Sequence, residues 1–217
     1  MANIFPRWTN HLPIKIVFCL LLLSCAASAA YWYYLTPEYM RVGYQPVQPV
    51  PFSHDIHVTQ LGMDCRYCHS YVEISSHSNV PTTQTCMNCH TQIQSTNPKL
   101  AAVRESWQTG QPVNWVKIHQ VPDFAYFNHS VHVNRGISCV SCHGQVNHME
   151  VVFQHESQTM GWCLNCHRHP ENNLRPIDQV FNLDWKPGNQ ESQQQIGFEL
   201  KEKWNIDPPQ NCSGCHR

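Results

Sequence analysis

The chain has 217 residues, enough for one or two domains, and a net charge of −1; charged residues make up 13% of it, about half the share usual in soluble domains. Twelve Cys, 15 His and 15 Pro fill the difference. This balance offers no basic patch for nucleic acid and no long charged run of the disordered kind.

The first predicted element is apolar. Ile16 to Leu35 reads IVFCLLLLSCAASAAYWYYL, without a charge, and suits a helix across an apolar layer of about 30 Å. Tyr31, Trp32, Tyr33 and Tyr34 close it as an interfacial belt. Arg7 and Lys15 precede it, and the next basic residue is Arg41, so residues 1–35 read as a cytoplasmic tail and transmembrane anchor. The rest is then expected on the periplasmic side of the inner membrane. Two other readings stay open: a leader cleaved near Ala27-Ser28-Ala29, and lipidation of Cys25 after Leu22-Leu23-Ser24. All three put the bulk of the chain outside the cytoplasm. Residues 36–51, with Pro37, Pro46, Pro49 and Pro51, read as a stiff tether.

Beyond the tether, ten cysteines fall into five Cys-x-x-Cys-His motifs. These are Cys65–His69, Cys86–His90, Cys139–His143, Cys163–His167 and Cys212–His216, with thiols at Cys65 and Cys68, Cys86 and Cys89, Cys139 and Cys142, Cys163 and Cys166, and Cys212 and Cys215. The motif is the attachment signature of c-type haem. Two thiols one turn apart reach both vinyl groups of a porphyrin, and the adjacent His supplies the proximal nitrogen to iron. Zinc sites close as sets of four ligands and give no reason for a His after every second Cys; redox dithiols do not require it either. Five covalently bound haems c are expected.

Five irons call for five distal ligands. Phe52-Ser-His54-Asp-Ile-His57 precedes Cys65 with Gly62 between, and Phe127-Asn-His129-Ser-Val-His132 precedes Cys139 with Gly136 between. This is an internal repeat. Two His at i and i+3 share one helix face about 5–6 Å apart, so each pair should serve two different haems and hold them close together. The first His of each pair most simply takes the haem attached just after it. His119 is the fifth choice and His77 its rival; Met149 and Met160 are alternatives at the fourth haem, where Met would raise the potential. His148, His155 and His169 read as solvated or propionate-binding. Residues 52–110 then form a dihaem module and 111–217 a trihaem module, the last with a haem-free stretch from Pro176 to Pro209 that includes a short helix over Ile196 to Lys203. The penultimate His216 puts the fifth haem at an edge. The expected fold is small, mostly α and irregular, with the haems as its core and one N-terminal transmembrane helix.

The Phe-x-His-x-x-His-…-Cys-x-x-Cys-His unit resembles the cytochrome c7/c3 class. The strings Gly43-Tyr-Gln-Pro-Val-Gln-Pro-Val-Pro-Phe-Ser-His54, Leu61-Gly-Met-Asp-Cys65-Arg-Tyr-Cys68-His69 and Met160-Gly-Trp-Cys163-Leu-Asn-Cys166-His167-Arg168 are similar to the membrane-anchored pentahaem subunit of alternative complex III. That resemblance implies a relay from quinol oxidation to a soluble carrier, such as a monohaem cytochrome, or to a terminal oxidase. It also implies an iron–sulfur subunit and quinol-site membrane subunits as partners, and no catalytic site in this chain. Two competitors are a stand-alone anchored quinol dehydrogenase feeding periplasmic reductases, and a pentahaem reductase enzyme. The enzyme reading lacks the Cys-x-x-Cys-Lys haem of its type.

Overall fold

The structure is a computed structural model and describes residues 6–35, 40–188 and 192–216. Two compact units divide it, residues 1–40 and 41–217. In the first, a 3-10 turn over Arg7–His11 leads into helix α1, Leu12–Leu35. No α1 side chain is buried, and the helix is long and apolar enough to cross a membrane.

The second unit is built from short helices and loops: α2 (Cys65–Cys68), α3 (Thr83–His90), α4 (Ala101–Thr109), α5 (His129–Val133), α6 (Val140–His143), α7 (Met160–Arg168), α8 (Gln193–Lys203) and α9 (Cys212–Cys215). Its extended pairing, among the described residues, is two isolated bridges, Ala125 with His216 and Ile137 with Leu174. The apolar interior is thin: one cluster joins Val50, Met87 and Val103, another Val72, Val133 and Val180.

Residues 36–39 of the expected tether lie outside the described residues. Its later part is fastened to the body of its unit. Gly43 donates to the Gln154 carbonyl (2.8 Å), and Gln48 exchanges two hydrogen bonds with the backbone of Val116 (2.8 and 2.9 Å). Val50 is buried with Met87.

The repeat is visible as structure. His132 lies on α5, capped by Asn128, whose side chain accepts from the Ser130 N–H. His57 lies instead on a π-helical turn over Asp55–Gln60, ahead of Gly62. The first repeat has one more residue between His57 and Gly62 than the second has between His132 and Gly136. A single inserted residue widens a helical turn to the i→i+5 pattern, here the bond from Leu61 N–H to the Ile56 carbonyl (3.1 Å). Both glycines then turn the chain at positive φ, 69° and 82°. Each repeat also grips the other. The N–H groups of His54 and Asp55 donate to the Met149 carbonyl just beyond α6 (3.0 and 3.2 Å), and those of His129 and Ser130 donate to the Ser76 and Ser75 carbonyls just beyond α2 (both 3.1 Å).

The haem-free stretch supplies α8, longer than the expected Ile196–Lys203 by three residues at its start. It lies against the turn Pro170–Asn172, where Lys201 meets the buried Glu171 carboxylate at 3.0 Å. Gly197 makes that approach possible: a Cβ there would overlap the Glu171 backbone carbonyl. Gly197→Ala should therefore destabilise the chain by about 1–3 kcal/mol, against the small gain usual for Gly→Ala in a helix. Gly161→Ala on α7 meets open space and should show that gain. Denaturant unfolding of both variants decides; equal midpoints would show that α8 is not packed this way.

Candidate functional site

All five Cys-x-x-Cys-His motifs fold as helical turns. Three stand as isolated turns, closed by a bond from the His N–H to the first Cys carbonyl: His69 to Cys65 (2.8 Å), His143 to Cys139 (2.9 Å) and His216 to Cys212 (2.8 Å). The other two lie within α3 and α7. Side-chain caps fix two starts, Asp64 accepting from the Arg66 N–H and Asn211 from the Gly214 N–H. The turn puts both thiols of a motif on one side, as attachment to one porphyrin requires.

The histidines divide by what holds Nδ1. In His57, His69, His90, His129, His132, His167 and His216 the Nδ1–H donates to a backbone carbonyl, of Ser53, Asn79, Ile93, Ser76, Asn128, Pro209 and Phe124 respectively, at 2.7–3.0 Å. A carbonyl only accepts, so the proton sits on Nδ1 and Nε2 keeps a bare lone pair, the tautomer a metal takes. All seven belong to the motifs or the repeat pairs. His77, His155 and His169 have side chains at Nδ1 instead, Ser76, Glu156 and Glu171, and His148 has the Thr59 hydroxyl at Nδ1 and Asp184 at Nε2.

Phenylalanine sets the pair geometry, equally in both repeats. Phe52 stacks on His57 (4.4 Å, 23°) and meets His54 edge-on (4.9 Å, 86°). Phe127 stacks on His132 (4.6 Å, 29°) and meets His129 edge-on (4.7 Å, 86°).

The second His of each pair faces the proximal His of a later motif. His57 and His90 have ring centres 6.2 Å apart, and so do His132 and His167. A ligating imidazole nitrogen sits about 2 Å from its metal and the ring centre about 1 Å further back, so two rings across one iron stand about 6 Å apart. Both pairs fit that span. Neighbouring rings add to burial in lowering these imidazoles: His69 and His57 act on His54, His77 and His69 on His129, and His119, His129, His69 and His54 on His143. His119 packs edge-on against His143 at 4.3 Å, with its buried Nε2 unpartnered; Nδ1 of His54 is likewise buried and unpartnered. An orphaned buried nitrogen asks for a ligand. The exposed His77 has its Nδ1 on the Ser76 hydroxyl. Met149 is buried, and its carbonyl receives the His54 and Asp55 N–H groups, while His132 stands opposite His167. The side chain of Met160 is exposed.

Burial also settles protonation. It lowers His143 to about 3 and His54 to about 4, and it lowers His119, His129 and His132. These imidazoles are neutral at neutral pH, as ligands must be. Burial pushes Cys139 and Cys142 up to about 12, the reverse of an activated redox thiolate. Among the described residues no three His, Cys, Asp or Glu side chains converge on a point that could hold a bare metal ion. A porphyrin supplies four nitrogens itself and asks the chain only for thioether anchors and axial ligands, the donor set that is present.

The carbonyl partners were missed in the sequence. Those of His57 and His132 lie four residues upstream on the same turn and follow from the helix; those of His129, His167 and His216 are long-range and leave no local signal.

Comparison with known proteins agrees with this chemistry. Residues 125–217 match the family described as cytochrome c7 and related cytochrome c. A stretch of 100 residues is 37% identical to the menaquinone reductase multihaem cytochrome c subunit of Nitratidesulfovibrio vulgaris, covering 46% of this chain and 47% of that protein. The chain spans about half the length of the curated relative it matches. Residues 125–217 are thus similar to a cytochrome c7-type domain, and both similarities are to the multihaem cytochromes c.

The 6.2 Å spans give a direct prediction. His57→Ala should convert one low-spin haem to high spin, the haem attached at Cys86 and Cys89; His132→Ala should do so for the haem at Cys163 and Cys166. Electron paramagnetic resonance with haem-resolved assignment checks it, and loss of the ligand at Cys65/Cys68 or Cys139/Cys142 would refute it.

Proposed function

We propose that this chain is the electron-transfer subunit of a membrane complex linked to the quinone pool, relaying electrons through five c-type haems. The supporting observation is the repeated unit of attachment turns and facing, Nδ1-locked histidines. Haem supplies the one-electron redox chemistry; the chain's own residues tether it, orient it and tune it. The proximal ligands are His69, His90, His143, His167 and His216. The distal ligands are His57 for the second haem and His132 for the fourth, with His54 and His129 serving the first and third. His119, packed against His143, completes the set of distal candidates, and Met149 is a packing residue. The helix α1 anchors the chain in the inner membrane, with the haem domain on the periplasmic side.

The resemblance to the pentahaem subunit of alternative complex III supports quinol oxidation, with an iron–sulfur subunit and quinol-site membrane subunits as partners and a periplasmic carrier or terminal oxidase as acceptor. The named relative supports the opposite direction, delivery of electrons to menaquinone. Both fit one device, because a row of haems conducts either way and its ends decide the direction.

In membranes containing the chain and its complex, a short-chain quinol should reduce its c-type haems, or a quinone should reoxidise them once reduced. Indifference to both would end the quinone-linked reading. The haem count has its own check. Pyridine haemochrome analysis should give five haems per chain, and titration of denatured holo-protein should find two free thiols, Cys19 and Cys25, of the twelve. More than two would mean a motif without haem.

A further inference from the structure

The five attachment turns neighbour one another in an order that differs from their order in the chain. Tyr67, inside the first motif, accepts at its hydroxyl from Nδ2 of Asn88, inside the second (3.1 Å). The first and third motifs are joined by the reciprocal backbone bonds at Met149 and at Ser75 and Ser76. Gln158, ahead of the fourth motif, donates to the carbonyl of Cys142 in the third (3.4 Å). The fourth motif's His167 donates to the carbonyl of Pro209, on the loop entering the fifth (2.7 Å).

A haem held through thioethers at each turn would have one edge beside its cysteines, so neighbouring turns would bring neighbouring porphyrin edges close, and electron tunnelling falls steeply with edge separation.

We propose that the haems form one unbranched line in the order second, first, third, fourth, fifth, and that electrons enter and leave the chain at the second and fifth. This rests on the electron-relay reading above. The outer links have local braces: the pair His54 and His57 spans first to second, and His129 and His132 spans third to fourth, each over about one helical turn. The central link, first to third, crosses between the repeats and is held by their mutual backbone bonds. The redox partners therefore meet the chain beside α3 at one end and beside α9 at the other.

The test is a haem-resolved NMR redox titration of the full-length holo-protein in detergent, which measures how oxidation of each haem shifts every other. Four strong couplings are expected, second–first, first–third, third–fourth and fourth–fifth. In His57→Met the second haem should rise in potential and shift the midpoint of the first alone. In His132→Met the fourth should rise and shift both the third and the fifth. Coupling of the second haem to the third, fourth or fifth as strong as to the first overturns the order. If either variant fails to take up haem, the couplings of the unmodified protein decide. A protein without covalent haem would end the relay reading itself, whereas five haems with another coupling pattern end only this order.

Discussion

A single hydrogen bond decides what seven of the imidazoles in this protein can do. With Nδ1–H on a backbone carbonyl, the ring cannot swap tautomers and Nε2 has no proton to lose before ligating. The backbone is shaped to bring carbonyls to those rings. Asn79 shows how: its side chain donates to the Cys68 carbonyl and accepts from the Tyr71 N–H, which folds the loop after α2 back until the Asn79 carbonyl reaches His69 at 2.7 Å. At His167 the carbonyl belongs to Pro209, which has no N–H of its own to satisfy. Loops of this kind look irregular, yet each ends at an imidazole.

The repeat shows the same constraint overriding secondary structure. A five-residue helix such as α5 does not hold itself in water, because helix nucleation costs more than so few hydrogen bonds return. Asn128 capping, Phe127 stacking and the grip on Ser75 and Ser76 hold it instead. The first repeat carries an extra residue and absorbs it as a π turn, so the bond from His57 Nδ1 to the Ser53 carbonyl and the stack on Phe52 stay as in the second. The chain bends its helix before it moves the ring.

What the sequence made legible was local. Motif spacing, the i, i+3 pairs and the recurring Phe and Gly all act within a dozen residues, and the structure keeps them together. That the second His of each pair skips the nearest motif follows from geometry, since two rings on one helix face cannot meet one iron. The long-range partners were silent: no spacing reveals that Phe124 holds His216, or that Gln48 docks residues read as a stiff tether onto Val116. Nor did motif order disclose neighbour order, because chain succession says which turns follow one another and nothing about which turns pack together. His119 was legible as a candidate ligand; its place against His143 was not.

Burial has a further consequence for assembly. A charged imidazole loses its hydration when buried, so the folded chain holds His54 and His143 neutral far below physiological pH. The unfolded chain binds protons at these rings below about pH 6.5, where the folded one does not, so stability without ligand falls as pH drops below that value. Above it the rings are already in the ligating state, and axial ligation competes with no proton. Folding, tautomer and protonation thus favour the same arrangement, and the small apolar clusters around Val50 and Val72 need only hold the two repeats in register. The specificity of the fold then resides less in aliphatic packing than in where backbone carbonyls meet imidazole rings.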